Sequence, residues 1–268
     1  MADEGGGLYG TAAQRRSQAA ALASEEATRR TPGAVFAARM PGTDDPERFG
    51  WDRIAQILRA EGAITFRMVG VETCTEVERR LAELGSTIAW WDVFEGSRDE
   101  IADACDGILA GTRDDLVRLE PPPGGEARFF EAVQEFLAGA GVAPFPARAL
   151  SGGSGPAMLS VLGDPRDGSV VATAFSHFPY NRFSPHHSTA WAGLVAVRED
   201  FRGRGVGARV NASMLRAAVT GLGAFRVQEF ARKTNTASCR MIESCGLRPR
   251  RDVRSGIAQP SGSGSFTR

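Results

Sequence analysis

Arg202-Gly203-Arg204-Gly205-Val206-Gly207 stands where an apolar strand ends and an amphipathic helix begins. Upstream, Trp191-Ala192-Gly193-Leu194-Val195-Ala196-Val197 is a short apolar run with a β-branched end, read as a strand buried on both faces. Downstream, Val206, Val210, Met214 and Ala218 recur every four residues and mark one face of a helix. A helix start carries unpaired backbone N–H groups at the positive end of a dipole. With no side chains at Gly203, Gly205 and Gly207, a phosphate can approach those amides closely. The stretch reads as a pyrophosphate cradle.

Two familiar phosphate loops fit it badly. A nucleoside-triphosphate loop ends in Gly-Lys-Ser/Thr, and the single lysine of the chain is Lys233. A dinucleotide fingerprint needs Gly-x-Gly-x-x-Gly and an acidic residue about twenty positions on, whereas the spacing differs here and position 227 is Val. A second motif follows at Asn235-Thr236-Ala237-Ser238-Cys239-Arg240-Met241-Ile242-Glu243-Ser244-Cys245-Gly246-Leu247. It reads as a helix with Asn235 as N-cap and Gly246 as its left-handed terminator. The strand-like run Phe225–Phe230 lies between the motifs.

Together the two segments resemble the GNAT acyltransferases, whose coenzyme A loop has the pattern Arg/Gln-x-x-Gly-x-Gly/Ala. The resemblance covers roughly residues 126 to 250. It implies an α/β (α+β) fold with a mixed, mostly antiparallel sheet flanked by helices. It also implies acetyl-CoA as acyl donor, no metal, and direct transfer to a primary amine of a small metabolite, an antibiotic or a protein N-terminus. Leu194, Val195, Ala196 and Val197 would pair with the pantetheine arm. Arg202, Gly203, Arg204, Gly205, Val206, Gly207 and Ala208, with Asn235, would hold the rest of the cofactor. The family's frequent thiolate-protonating tyrosine falls at Ile242, a departure that removes the best-understood acid. Ser238, one turn earlier on the same face, is the substitute candidate, with a share in helix capping as its alternative role. No base is evident: His186 and His187 in the loop Ser176–Ser188, and Glu229 on the next strand, are the candidates, each with an ordinary packing or surface role as its alternative. A non-catalytic acyl-CoA-binding protein is the rival reading.

In the 268 residues, 32 Lys and Arg balance 32 Asp and Glu, so a broad nucleic-acid or anionic-membrane surface is not expected. No long apolar run and no signal-peptide pattern is present, and a cytoplasmic protein is expected. The cysteines Cys74, Cys105, Cys239 and Cys245 lack metal or disulfide spacing and read as reduced thiols. The oligomeric state, a homodimer included, stays open.

Composition divides the chain into a flexible extension over 1–46, an α/β segment over 47–120, an acyltransferase core over 121–254 and a flexible Ser/Gly-rich tail over 255–268. The middle segment reads as helix 52–60, strand Ala63–Val69, helix 74–84, strand Thr87–Phe94 and helix 98–110. The last strand and helix are expected to open the core fold. The run Pro121-Pro122-Pro123-Gly124-Gly125 favours the competing division, a separate domain ending near Glu120. Beyond it come an amphipathic helix around Phe129–Leu137 and strands Ala157–Leu162 and Ser169–Phe175.

Overall fold

A computed structural model describes residues 7–111 and 115–263. In chain order the elements are α1 (Ala12–Ala23), α2 (Glu25–Arg30), β1 (Ala34–Phe36), β2 (Pro41–Thr43), α3 (Pro46–Phe49), α4 (Trp51–Glu61), β3 (Ile64–Gly70), α5 (Cys74–Glu83), β4 (Ser86–Ser97) and α6 (Arg98–Ala110). There follow β5 (Val117–Arg118), α7 (Glu126–Gly139), α8 (Ala147–Leu150), β6 (Ala157–Gly163), β7 (Val170–His177), β8 (Thr189–Val197), α9 (Val206–Thr220), β9 (Arg226–Ala231), α10 (Thr236–Ser244) and β10 (Arg248–Pro260). Among the described residues the strands form one sheet, in the order β1-β2-β3-β10-β4-β9-β8-β7-β6-β5. Helices cover both faces. On one, α6 and α9 pack Ile101, Met214 and Leu215 against alternate residues of β7, β8 and β9; on the other, α7 and α8 pack Val133 and Leu150 against Phe175 and Trp191.

The sheet contains the same supersecondary unit twice. The order β2-α4-β3-α5-β4 repeats as β8-α9-β9-α10-β10, and in each copy the first two strands pair in parallel. Both long helices open at a glycine with positive φ, Gly50 at 96° and Gly205 at 77°. The closing strands are exchanged: β10 pairs with β3 of the other copy and β4 pairs with β9, while β4 and β10 lie antiparallel side by side.

Three expectations are overturned. Ser255–Pro260 is not a flexible tail but the inner half of β10, hydrogen-bonded on both edges. Its small residues are there because neighbours approach closely. A Cβ on Gly256 would stand 2.8 Å from Ala89 O and from the Trp90 ring, and the Ser255 hydroxyl accepts a hydrogen bond from Met68 N at 3.1 Å. Nor does the described part of 1–46 lack a core. Residues 33–38 are buried, and Phe36 N donates to Pro179 O at 2.9 Å. A capping box between Thr11 and Gln14 starts α1, and Gln18 on its buried face donates to Pro144 O at 3.2 Å. The Ala-rich composition concealed a helix whose contacts are polar and long-range rather than an apolar stripe. A domain ending near Glu120 is likewise not seen, since β4 lies hydrogen-bonded between β10 and β9.

Candidate active site

The site is built around a fault in β8. Between β7 and β8 the register passes from Thr173↔Ala196 to Phe175↔Gly193, so β8 holds one extra residue there. Leu194 takes up the kink at φ 52°, and Thr173 Oγ1 donates to Leu194 O at 3.0 Å, fixing it. On the other edge β8 pairs with β9 only from Thr189↔Arg226 to Trp191↔Gln228. Beyond that crotch the ladder between the two strands ends, and the β9-facing edge of Leu194–Val197 is left without a strand partner, which is where a pantetheine arm would add as a further strand.

The edge leads into the glycine loop. Gly203 and Gly205 adopt φ 75° and 77°, and a Cβ on either would meet nothing within 4 Å. At Gly207 a Cβ would touch only Val197 and Met241 at ordinary contact distances. Arg202 Nε donates to Val197 O at 3.2 Å, and Arg204 lies 5.2 Å from the Phe201 ring centre. Val206, buried, anchors the first turn of α9, whose opening amides have no side-chain cap; Ala208 is partly buried in the same turn. The corresponding turn of the N-terminal copy carries Asp44, Asp45 and Glu47 instead, so a polyanion is suited by only one of the two copies.

On α10, Asn235 Oδ1 accepts from Ser238 N at 3.2 Å, which makes it the N-cap. Gly246 ends the segment at φ 89°, where a Cβ would lie 2.4 Å from Glu100 O. Ile242 is buried in the core, and Ser238 is half-buried one turn before it.

The remaining candidates are separated by the sheet. Glu229 lies on the α9 face, fully buried, and accepts from Asn211 Nδ2 at 2.8 Å. His186 and His187 come from the loop between β7 and β8. His187 is exposed, with Nδ1 3.2 Å from Ser184 O. His186 is half-buried, its ring 5.4 Å from that of Tyr180, and burial lowers its pKa against the opposing pull of Asp44 and Glu95. Tyr180 donates to Gln228 Oε1 at 2.7 Å, Gln228 Nε2 to Glu95 Oε2 at 2.9 Å, and Arg250 Nη1 to Glu95 Oε1 at 2.9 Å.

Next to this network stands a residue that reading the motifs missed. Arg67 of β3 lies over Trp191 and Phe230, at 5.1 and 4.9 Å from their ring centres. Its sequence signal is a lone charge inside the apolar run Ile64-Thr65-Phe66-Arg67-Met68-Val69.

Burial pushes the Glu229 carboxyl up to about 7, against the Asn211 hydrogen bond. The fold thus favours the protonated acid. That stabilisation is complete below the ordinary carboxyl pKa and is lost as pH rises through about 7. Glu229→Gln keeps an acceptor for Asn211 without the charge. Its stability relative to the parent should change little at about pH 5 and be higher by about 3 kcal/mol at about pH 8. Denaturant titrations at both pH values measure this, and a difference independent of pH refutes the buried, protonating carboxyl.

Residues 129–247 match the Acetyltransferase (GNAT) family. Among solved structures, a Drosophila protein is 17% identical, with 87% of this chain and 76% of that chain covered at a TM-score of 0.58. A GCN5-related N-acetyltransferase from Kribbella flavida is 14% identical over 95% of this chain and 97% of its own, at 0.57. A tandem GNAT protein from the clavulanic acid biosynthesis pathway is 13% identical over 85% and 77%, at 0.53. No curated protein matches the chain in sequence. Among the described residues no helix is long and apolar enough to cross a membrane. With the bulged β8, the glycine loop and the capped α10 all falling within or beside the matched stretch, residues 129–247 are a GNAT acetyltransferase domain and the protein is an acyltransferase.

Proposed function

We propose that the enzyme transfers acetyl from acetyl-CoA directly to a primary amine, without a covalent enzyme intermediate. The observation that carries this is the β9-facing edge of Leu194–Val197, left without a strand partner and running into open glycines at the start of α9. Backbone groups of Leu194–Val197 hold the pantetheine, and the amides opening α9, with Arg202 and Arg204, hold the pyrophosphate. An amide at the Leu194 bulge polarises the thioester carbonyl. As the amine nitrogen bonds to the carbonyl carbon, the C–S bond breaks, the amine loses a proton to a base and the thiolate gains one. With Ile242 committed to the core, we assign the departing sulfur to the hydroxyl of Ser238, half-buried one turn earlier. His186 is the better-placed base of the histidine pair, half-buried beside Tyr180 and depressed below its ordinary pKa so that it is neutral near pH 7.

Free-thiol release from acetyl-CoA across a broad amine panel tests the reading. Coenzyme A binding with no thiol release from any amine would favour the non-catalytic binder instead. For an accepted amine, kcat/KM should rise through a pKa below 6.5, the ordinary histidine value. In the double variant His186→Gln/His187→Gln that limb should vanish while coenzyme A affinity holds. Superimposable profiles would remove both histidines as the base and return attention to Glu229.

A further inference from the structure

Arg67 is a buried cation without a carboxylate. Its Nε and Nη1 have no hydrogen-bond partner, and among the described residues no carboxylate forms an ion pair with it. Its polar neighbour is the Tyr180 hydroxyl, which donates to Gln228 and whose oxygen can accept from Arg67, while Glu95 is held by Arg226 and Arg250. A second guanidinium adds to the field. Arg39, 5.6 Å from the Phe145 ring centre, is held down to about 10 by burial and by Arg67, and burial pushes Arg67 itself to about 10. Two further polar groups around Arg67 are also unpartnered. The Trp191 indole, 5.1 Å away, has a free Nε1–H, and His177, its ring 5.7 Å from Trp191, has a free Nε2. His177 is held neutral by burial, Arg67 and Arg29, and in its Nε2–H tautomer that nitrogen is a donor. Trp191 bends over Gly193, where a Cβ would stand 2.6 Å from the ring, and so reaches along β8 toward the Leu194 bulge.

A buried guanidinium costs several kcal/mol unless an anion compensates it. Here Nε and Nη1 of Arg67, Nε1 of Trp191 and Nε2 of His177, from three strands, are buried together without a protein partner. The phosphates of the donor are served elsewhere, at the glycine loop. We propose that Arg67, with Trp191 and His177, forms a buried anion subsite for the carboxylate of an amino-acid acceptor, whose amine then faces the β8 bulge. The proposal rests on the acetyl-transfer reading and narrows its substrate class. Arg67 stands over Trp191 and Phe230, which flank the crotch, so a short amino acid, α or β, is the acceptor class proposed.

The probes are the common α-amino acids and β-alanine, each set against its primary amide and titrated calorimetrically into the whole enzyme with and without coenzyme A. At least one acid should bind 100-fold tighter than its amide. In Arg67→Met that preference should fall to near parity, with Tm unchanged or raised because an uncompensated charge has gone, whereas a purely structural arginine would lower it. Arg67→Lys and Trp191→Phe should retain intermediate preferences, and they decide the matter if the Met variant does not fold. No acid preferred over its amide, or a preference that survives in the Met variant, overturns the subsite. Thiol release with the same probes separates the two ideas. Acid-selective binding without turnover counts against acetyl transfer, and turnover indifferent to the carboxylate counts against the subsite.

Discussion

Gly205→Val is expected to weaken coenzyme A binding by about 30- to 1,000-fold in a protein that still folds. Gly205 sits at φ 77° as N-cap of α9, and its missing Cβ would point into open space. A β-branched residue in that conformation carries about 1–2 kcal/mol of strain, which the buried α9 can absorb. The larger effect is on the ligand. An isopropyl group would stand over the amides that a pyrophosphate must reach, and losing one or two charge-assisted hydrogen bonds costs about 2–4 kcal/mol. Gly205→Asn is the control for backbone strain, because Asn tolerates positive φ while still crowding the loop. Calorimetry with coenzyme A reads both variants, and unchanged affinity in folded Gly205→Val would remove the loop from the site.

Ending the chain after Arg254 is expected to abolish the cooperative fold. The deletion removes Ser255–Pro260, which pairs with Trp91 through Ser86 on one side and with β3 on the other. It also strips Ala258 from the core built on α4, α5 and β3, and Ile257 from the cluster with Ala37, Met40 and Ala63. Two strands that face each other only through β10 would be left with open edges. Gly256→Val tests the same point without shortening the chain, since its side chain meets Ala89 O and the Trp90 and Ile88 side chains. Both variants should lose the thermal transition in circular dichroism. A truncated protein that melts like the parent would show β10 to be dispensable.

These two results fall on opposite sides of what the sequence discloses. The glycine loop and the Asn235–Gly246 segment were legible because their roles are local: positive φ, an N-cap and a terminator are properties of a few adjacent residues. Even there, the Leu194 bulge was not foreseen, because an extra residue in a ladder shows only against its partner strand. β10 was misread for a related reason. Ser255, Gly256 and Ala258 look like linker composition, yet they are small because two neighbouring strands press on them. Arg67 shows the remaining difficulty. Its sequence signal was present, but Trp191 and Phe230, which give it meaning, come from the other copy of the repeated unit.

The exchange of closing strands sets an order of events for the newborn chain. As the ribosome releases the first copy, β3 and β4 emerge without the strand that joins them, because Ile64 and Ile88 both await Ala258. Closing so long a loop is slow, and unpaired edges invite pairing with other chains in the interval. The apolar residues of α4 and α5 must therefore shelter a half-built sheet until the last strand is translated, so the cell receives no working first half and every stalled or clipped chain is a substrate for chaperones or proteases.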